Sequence, residues 1–153
     1  MFSNHKNIIP AIEIYTDGAC KGNPGPGGWG AILIYKNHQK KINGFNKHTT
    51  NNIMELTAVI EALKTLNERC NITITTDSNY VKLGITKWIH NWKKNGWLTS
   101  QKKPLKNKSL WQELDKLKSQ HNMKWYWVKA HAGHQLNEQA DLLANQAIEK
   151  NVM

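Results

Sequence analysis

The order of the predicted strands and helices is the feature that most limits the fold of this chain. Residues 11–16 alternate apolar and polar side chains, as a β-strand does, and this strand is expected to end at Asp17. A glycine-rich turn, 18–28, follows it. The later elements are predicted as strands at 29–35, 40–45, 71–76 and 123–128, and as helices capped by Asn51 or Asn52, from Asn79 to about Gly84, around 110–117, and capped by Asn137.

This order, three strands and then alternating helices and strands, predicts an α/β fold built on one mixed sheet. A three-stranded meander followed by right-handed crossovers makes strands one and four parallel neighbours. We therefore expect a five-stranded sheet in the order 3-2-1-4-5, flanked by helices. A chain of 153 residues is the usual size of one domain, so 1–153 is predicted to be a single domain with a short amino-terminal extension at 1–10.

Four acidic residues occur where these elements end or begin. Asp17 and Asp77 follow strands one and four, while Glu55 and Asp141 are expected in the first turns of helices. Parallel neighbours bring their carboxyl ends together at a switch point, which is where open α/β sheets place ligands. Acids are scarce here, 11 against 21 basic residues, so a carboxylate cluster predicts a metal site and a two-metal phosphodiesterase.

Each of these residues also has a purely structural interpretation. Glu55 lies three residues after Asn52 and would complete a capping box, and Asp141 would complement a helix dipole. The two acids at strand ends would form turns, and His131, in a polar loop, would be a surface histidine. One shared site explains all of these residues together, and we favour it for that reason.

The charge of the chain favours a polyanionic partner. The formal net charge is +10 and the pI is about 9.6, which suits phosphate binding, with a solvated lysine surface as the alternative. Arg69 is the only arginine, so sequence-specific reading of a duplex is not expected. In the segment 87–108 three tryptophans interleave with seven lysines, which predicts a nucleic-acid contact, with core packing as the alternative for each tryptophan.

Cysteine use and hydropathy predict the compartment. Cys20 and Cys70 have no metal-binding spacing and form no disulfide framework, so reduced thiols are expected. Residues 1–10 hold no apolar stretch of signal-peptide length, and nowhere do eighteen apolar residues run together. We therefore expect a soluble cytoplasmic protein without a membrane partner.

Five motifs, in order along nearly the whole chain, resemble those of type 1 ribonuclease H. They are YTDGACKGNPGPGGWG (15–30), TTNNIMEL (49–56), TTDSNYV (75–81), WIHNWKKNGW (88–97) and WVKAHAGHQLNEQADLLA (127–144). The tryptophan and lysine segment at 87–108 is similar to the basic protrusion of the bacterial form. The resemblance implies the ribonuclease H fold and endonucleolytic hydrolysis of the RNA strand of RNA–DNA hybrids, leaving 5′-phosphate and 3′-hydroxyl ends.

The same resemblance implies roles for individual residues. The positions that match its catalytic acids, which hold two Mg²⁺ ions with Mn²⁺ as a candidate substitute, are Asp17, Glu55, Asp77 and Asp141. His131 matches its auxiliary catalytic histidine. Its substrate-binding positions, the asparagines among them testing for 2′-hydroxyls, are matched by Cys20, Asn23, Asn51 and Asn79. The positions expected to contact the DNA strand are Thr50, Asn91, Trp88, Trp92, Lys93 and Lys94.

The chain departs from the family pattern in three places, where we expect effects on affinity and rate. Asn79 replaces a common Gln, Ala130 a common Gly, and the protrusion carries Asn95 and Leu98 where basic residues are frequent. Two alternatives stay open: a catalytically silent hybrid-binding module, and a DNA-directed nuclease of the same superfamily such as a junction resolvase or integrase core. The intact acid set argues against the first, and the asparagines and the protrusion argue against the second.

The expected assembly is a monomer that acts on RNA–DNA hybrid duplexes with no obligate protein partner. The extension at 1–10 is too short to fold as a separate hybrid-binding module.

Overall fold

The computed structural model describes residues 8–129 and 134–152. The strands are β1 Ala11–Cys20, β2 Gly25–Tyr35, β3 His38–Thr49, β4 Asn71–Thr76 and β5 Asn122–Trp127. The helices are α1 Asn51–Lys64, α2 Asn79–Leu83, α3 Ile89–Asn95, α4 Lys108–Lys118 and α5 Gln135–Val152, and a π-helical segment, Gly84–Trp88, joins α2 to α3.

The five strands form one mixed sheet in the order β3-β2-β1-β4-β5, which confirms the predicted topology. β1 pairs antiparallel with β2 and parallel with β4, and β4 pairs parallel with β5. The two parallel crossovers run through α1 and through the helical segment that ends with α4. The carboxyl ends of β1, β4 and β5 therefore lie at the same edge of the sheet.

The main apolar core lies between the sheet and helices α1 and α4. The strands contribute the inaccessible side chains of Ile14, Ile72 and Ile74, and α4 contributes Trp111. The predicted apolar stripe of α1 is buried against them, at Leu56, Val59, Ile60 and Leu63. Helix α5 packs on β1, β2 and β3 from the opposite face. Its buried residues are Asn137, Ala140, Ala144, Ala147 and Ile148, whereas Leu143, predicted to be buried, is half-exposed.

Two helix starts differ from prediction. Thr50, rather than Asn51 or Asn52, caps α1, because its hydroxyl oxygen accepts a hydrogen bond from the Ile53 amide at 3.2 Å. Helix α5 begins at Gln135, so Asn137 lies within its first turn and is buried instead of acting as the cap. No helix among the described residues is long and apolar enough to cross a membrane.

The helix after Asp77 was expected to end near Gly84, and this is confirmed, because α2 ends at Leu83 with Gly84 as its C-cap. Helical backbone continues through Gly84–Trp88 into α3 and ends at Gly96, which has a left-handed φ of 80°. The ring of Trp111 packs where the β-carbon of a larger residue at position 84 would be. The absence of a side chain at Gly84 therefore lets α4 approach this helical segment closely.

The basic protrusion at 87–108 consists of α3 and an irregular loop. The loop turns through left-handed backbone at three residues other than glycine, Trp97, Lys102 and Asn107. Trp92 lies at its centre, with ring centroids 5.8 Å from Trp88, 6.1 Å from Trp97 and 5.3 Å from Trp111. The three tryptophans of the protrusion are all half-buried: Trp92 and Trp97 pack on the core, and Trp88 packs on Tyr80 and Trp92.

Candidate active site

Asp17 and Asp77 are brought together by the parallel pair β1 and β4. The pairing of these strands ends at Tyr15 and Thr75, and Asp77 follows directly after β4. Strand β1 does not end at Asp17 as predicted; it continues to Cys20 because β2 remains paired with it there. Asp17 therefore lies within a strand, with extended backbone before and after it, and it is only 5% exposed.

Glu55 and Asp141 come from helices on the two faces of the sheet. Both were expected in first helical turns, but α1 begins at Asn51 and α5 at Gln135, so each acid lies one turn further along. Thr50 already caps α1, which removes the capping-box interpretation of Glu55. Neither acid is explained by helix capping, and both line the same cavity.

Gly18 allows β1 and α1 to approach closely at this point. A β-carbon on Gly18 would lie 2.5 Å from the backbone nitrogen of Glu55 and 2.5 Å from the carbonyl carbon of Met54. Any larger residue would push the helix away from the strand. The glycine therefore places the carboxylates of Asp17 and Glu55 beside each other.

The four acids converge on a cavity of about 600 Å³. Carboxylate oxygens of Asp17, Glu55 and Asp77 lie within 4.8 Å of one another. Asp141 is half-buried at the wall of the same cavity, where its negative charge acts on Asp17, and its carboxylate accepts a hydrogen bond of 3.2 Å from the Asn145 amide. Three acids thus form a tight cluster, and the fourth stands at its margin.

Burial and neighbouring negative charges make ionisation of Asp17 and Glu55 unfavourable. Burial first, and then the charges of Asp77 and Asp141, raise the pKa of Asp17 to about 8, although the Gly18 amide donates to its carboxylate at 2.9 Å. Burial, and then the charges of Asp17 and Asp77, raise the pKa of Glu55 well above its ordinary value. A cation bound at this site would lower the pKa of both carboxyl groups, because its charge would offset the neighbouring negative charges.

The donor set fits hard divalent cations. One carboxylate oxygen of Glu55, Oε1, is buried and accepts no hydrogen bond from any residue that the structure describes, which is unusual for a buried polar atom. The cluster offers carboxylate oxygens alone, and these are the ligands that Mg²⁺ prefers. The residues present are therefore suited to hold such ions.

Comparison with known proteins identifies the family to which this site belongs. The family model described as RNase H matches residues 10–149. The chain belongs to the RNase H family. It is 57% identical over 142 residues to the Ribonuclease H of Bradyrhizobium diazoefficiens, covering 93% of this chain and 92% of that protein. It is 58% identical over 135 residues to the Ribonuclease HI of Neisseria meningitidis serogroup B, covering 88% and 93%.

Solved structures agree with this assignment. The crystal structure of LC9-RNase H1, described as a type 1 RNase H with the type 2 active-site motif, matches with a TM-score of 0.85 and 34% identity over 94% of this chain and 74% of that one. The foamy viral protease-reverse transcriptase in complex with an RNA/DNA hybrid matches with a TM-score of 0.69 and 26% identity, over 92% of this chain and 20% of that one. The expected fold, family and ribonuclease H activity are confirmed.

Among the substrate-binding residues suggested by the RNase H resemblance, one group surrounds the acids. Cys20, Asn51 and Asn79 line the acidic cavity. Asn23 is held nearby, because its side-chain oxygen accepts a 2.7 Å hydrogen bond from the Asn51 amide. The Cys20 thiol donates to the carbonyl oxygen of Thr49 at 3.3 Å, which fastens the end of β1 beside the start of α1.

A second group lies on the protrusion, where most of its members line clefts other than the acidic cavity. Trp88, Asn91, Trp92 and Lys94 line a cleft of about 450 Å³, and Trp88 and Trp92 also border one of about 340 Å³. Lys93 lines neither cleft; its ammonium lies 3.5 Å from the Asp115 carboxylate on α4. Lys93 is therefore partly committed to an ion pair within the protein.

Some residues of the acidic cavity were missed by sequence reasoning, and one predicted residue lies outside the description. His131, like Ala130, falls outside the described residues. The polar side chains of the cavity wall that were not anticipated as functional are Asn52, Ser78, Tyr80 and Asn145. Asn145 was within reach of sequence analysis, because it lies four residues after Asp141 on the same helical face.

Proposed function

We propose that this RNase H family member cuts the RNA strand of RNA–DNA hybrids with Asp17, Glu55, Asp77 and Asp141 as the residues that hold two divalent ions. The observation that carries this assignment is the meeting of three carboxylates, two of them buried, within 4.8 Å in an open cavity. Mg²⁺ is the favoured ion, with Mn²⁺ as a candidate substitute. When bound, two such ions supply activation of a water nucleophile and stabilisation of the leaving 3′-oxygen.

The protein's own residues perform the remaining tasks. The repelling carboxylates of Asp17 and Glu55 are fixed by β1 and α1 before substrate arrives, so little reorganisation is needed on binding. His131 is proposed to carry a proton or assist product release instead of binding metal, since imidazole groups commonly serve as proton carriers near neutral pH. The products are proposed to carry 5′-phosphate and 3′-hydroxyl ends.

Discrimination of RNA from DNA is assigned to the amides around the cavity. An RNA-containing helix exposes 2′-hydroxyls in a wide, shallow minor groove. Cys20, Asn51 and Asn79 line the cavity, and the Asn23 side chain accepts a hydrogen bond from the Asn51 amide. Short polar side chains beside the acids can form hydrogen bonds with the 2′-hydroxyls of the strand that enters the cavity.

The DNA strand is assigned to the cap of α1 and to the protrusion. Thr50 uses its hydroxyl oxygen as a helix cap, and the hydroxyl hydrogen can donate to a phosphate. Trp88, Asn91, Trp92 and Lys94 line one cleft that offers both a charge and aromatic faces. Lys93 is proposed to contribute through its charge near this cleft, in competition with Asp115.

The chain is further proposed to act as one domain, 1–153, and as a cytoplasmic monomer without an obligate protein partner. Both cysteines are free thiols, which suits a reducing compartment. A catalytically silent module would be expected to have lost its acid cluster, and that cluster is intact. A DNA-directed nuclease is disfavoured because the similar curated proteins are named Ribonuclease H.

One gel assay tests the assignment. A labelled hybrid, an RNA duplex, a DNA duplex and single-stranded RNA are incubated with the protein, with and without Mg²⁺. We expect cleavage of the hybrid's RNA strand alone, only with the ion, and none with Asp17→Asn. Hybrid binding without cutting would favour the silent module, and cutting of the DNA duplex would favour the other nuclease class.

A further inference from the structure

A second cleft adjoins the acidic cavity on the far side of Asp77. It has a volume of about 250 Å³ and lies between α2 and the end of β5. Asp77, Ser78 and Asn79 line both this cleft and the acidic cavity, so the turn that carries Asp77 is the ridge between them. The remaining walls of the cleft are Lys82, Trp127, Val128 and Lys129.

The backbone places one lysine on each side of this cleft. Lys82 lies one turn after Ser78, and its amide donates to the Ser78 carbonyl at 3.1 Å. On the other side, the pairing of β4 with β5 continues past Thr76 and Trp127, because the Val128 amide donates to the Thr76 carbonyl at 3.1 Å. This register sets Lys129 opposite the residues that follow Asp77.

The chemistry of the cleft suits a phosphodiester. Both lysines are exposed, and neither forms an ion pair with another described residue. Asp77 is the single carboxylate that lines it within the described part of the chain. Trp127 forms a fixed wall, since its ring stacks on Trp125 at 5.5 Å with planes 12° apart. Two ammonium groups around a polar floor favour an anion over an apolar ligand.

We propose that this cleft, named here the Lys82–Lys129 subsite, binds a backbone phosphate of the RNA strand next to the phosphate that is cut. The inference rests on the proposed function, in which the RNA strand crosses the acids. Phosphates follow one another about every 3.4 Å of helix axis in one strand, so a strand that crosses the acids has another phosphate close by. The shared ridge at Asp77 makes this cleft the adjoining place for it.

The test combines protein variants with altered substrates. Short hybrids that wild type cuts at one main bond are made with a single methylphosphonate, which is uncharged, at each phosphate flanking that bond. Wild type and the Lys82→Ala/Lys129→Ala double variant are compared by kcat/KM on every substrate. Lys40→Ala/Lys41→Ala is the matched control, because it removes the same charge from exposed residues of the opposite edge strand, β3.

We expect one methylphosphonate position to lower kcat/KM about tenfold in wild type and in the control, and hardly at all in the double variant. The double variant should already show the loss on the unmodified hybrid, mainly in KM, and its binding with Ca²⁺ should lose about one to two in the slope of log K against log salt.

Equal losses at every position in wild type and double variant would overturn the subsite and leave the proposed function intact. Failure of wild type to cut any hybrid would remove the proposed function and the subsite together.

Discussion

The acidic cavity and the protrusion differ in how the fold supports them. Three acids of the cavity are delivered by β1, β4 and α1, and two of them are almost completely buried. In the protrusion the backbone is left-handed at three residues other than glycine, Lys94 is exposed, and the tryptophans are half-buried. The comparison indicates that groups for the chemical step are buried beside one another despite their repulsion, whereas groups for binding lie on an exposed or half-buried surface.

The largest expected effect comes from the cavity. Asp17→Asn or Asp77→Asn should lower kcat by several orders of magnitude, because each removes a charge from the proposed ion-binding set. Hybrid binding measured with Ca²⁺ in place of Mg²⁺ should change little by comparison. Circular dichroism should show a folded protein, and near-normal cleavage by Asp17→Asn with Mg²⁺ would refute the two-ion assignment for this chain.

His131→Ala should have an intermediate effect, since a proton-transfer group contributes to the rate without holding the ions. We expect turnover to fall by about 10²-fold, with Mg²⁺ affinity nearly unchanged by calorimetry. His38→Ala, an exposed histidine on β3, is the matched control and should be neutral. Loss of Mg²⁺ binding together with complete inactivity would instead make His131 a ligand or a structural residue.

Two neighbouring lysines of the protrusion test which of its charges contact the hybrid. Lys94→Glu should raise KM about tenfold with little change in kcat, and should reduce the slope of log K against log salt by about one. Lys93→Glu should act differently, because it also places a negative charge beside Asp115. We expect it to lower stability by less than about 1 kcal/mol.

The outcome that would contradict this division is an unchanged salt slope for Lys94→Glu. The phosphate contacts would then have to come from other lysines of the protrusion, first Lys102, Lys103, Lys106 and Lys108. A larger slope change for Lys93→Glu than for Lys94→Glu would mean that Lys93 leaves Asp115 when the hybrid binds.

Sequence reasoning succeeded where regular elements determine position. Asp77 follows a six-residue strand with clear alternation, so its place at the sheet edge follows from pattern and from the handedness of crossovers. It failed at the end of β1, and it did not foresee the π-helical segment that follows α2, because those outcomes depend on partners distant in sequence. β2 extends the strand past Asp17, and the ring of Trp111 packs against Gly84, the first residue of that segment.

The same reason explains what was missed around the site. The Lys93–Asp115 ion pair joins two helices that no local pattern relates, and the cleft beside Lys129 depends on the register of β4 with β5. The resemblance supplied the identities of the acids. Their burial, and therefore the raised pKa of Asp17, required the packed structure.

The smallest expected effect concerns stability and tests whether the cavity is held against repulsion. The pKa of Asp17 is raised from 3.8 to about 8, so its contribution to stability is present below the unfolded value and is lost as pH rises through about 8. Asp17→Asn mimics the protonated form and should therefore raise Tm in the absence of metal. We expect a gain of about 5 °C at pH 8.5 and a smaller one at pH 5.

Added Mg²⁺ should narrow this gap, because the ion stabilises wild type more than a variant with a weaker site. Lys94→Ala, an exposed change on the protrusion, is the control and should leave Tm unchanged at both pH values. The measurement is differential scanning calorimetry with EDTA and with Mg²⁺. A variant less stable than wild type at pH 8.5 with EDTA would show that Asp17 stabilises the fold. The cavity would then not be a site where acids are buried despite their repulsion, and its contrast with the exposed protrusion would be lost.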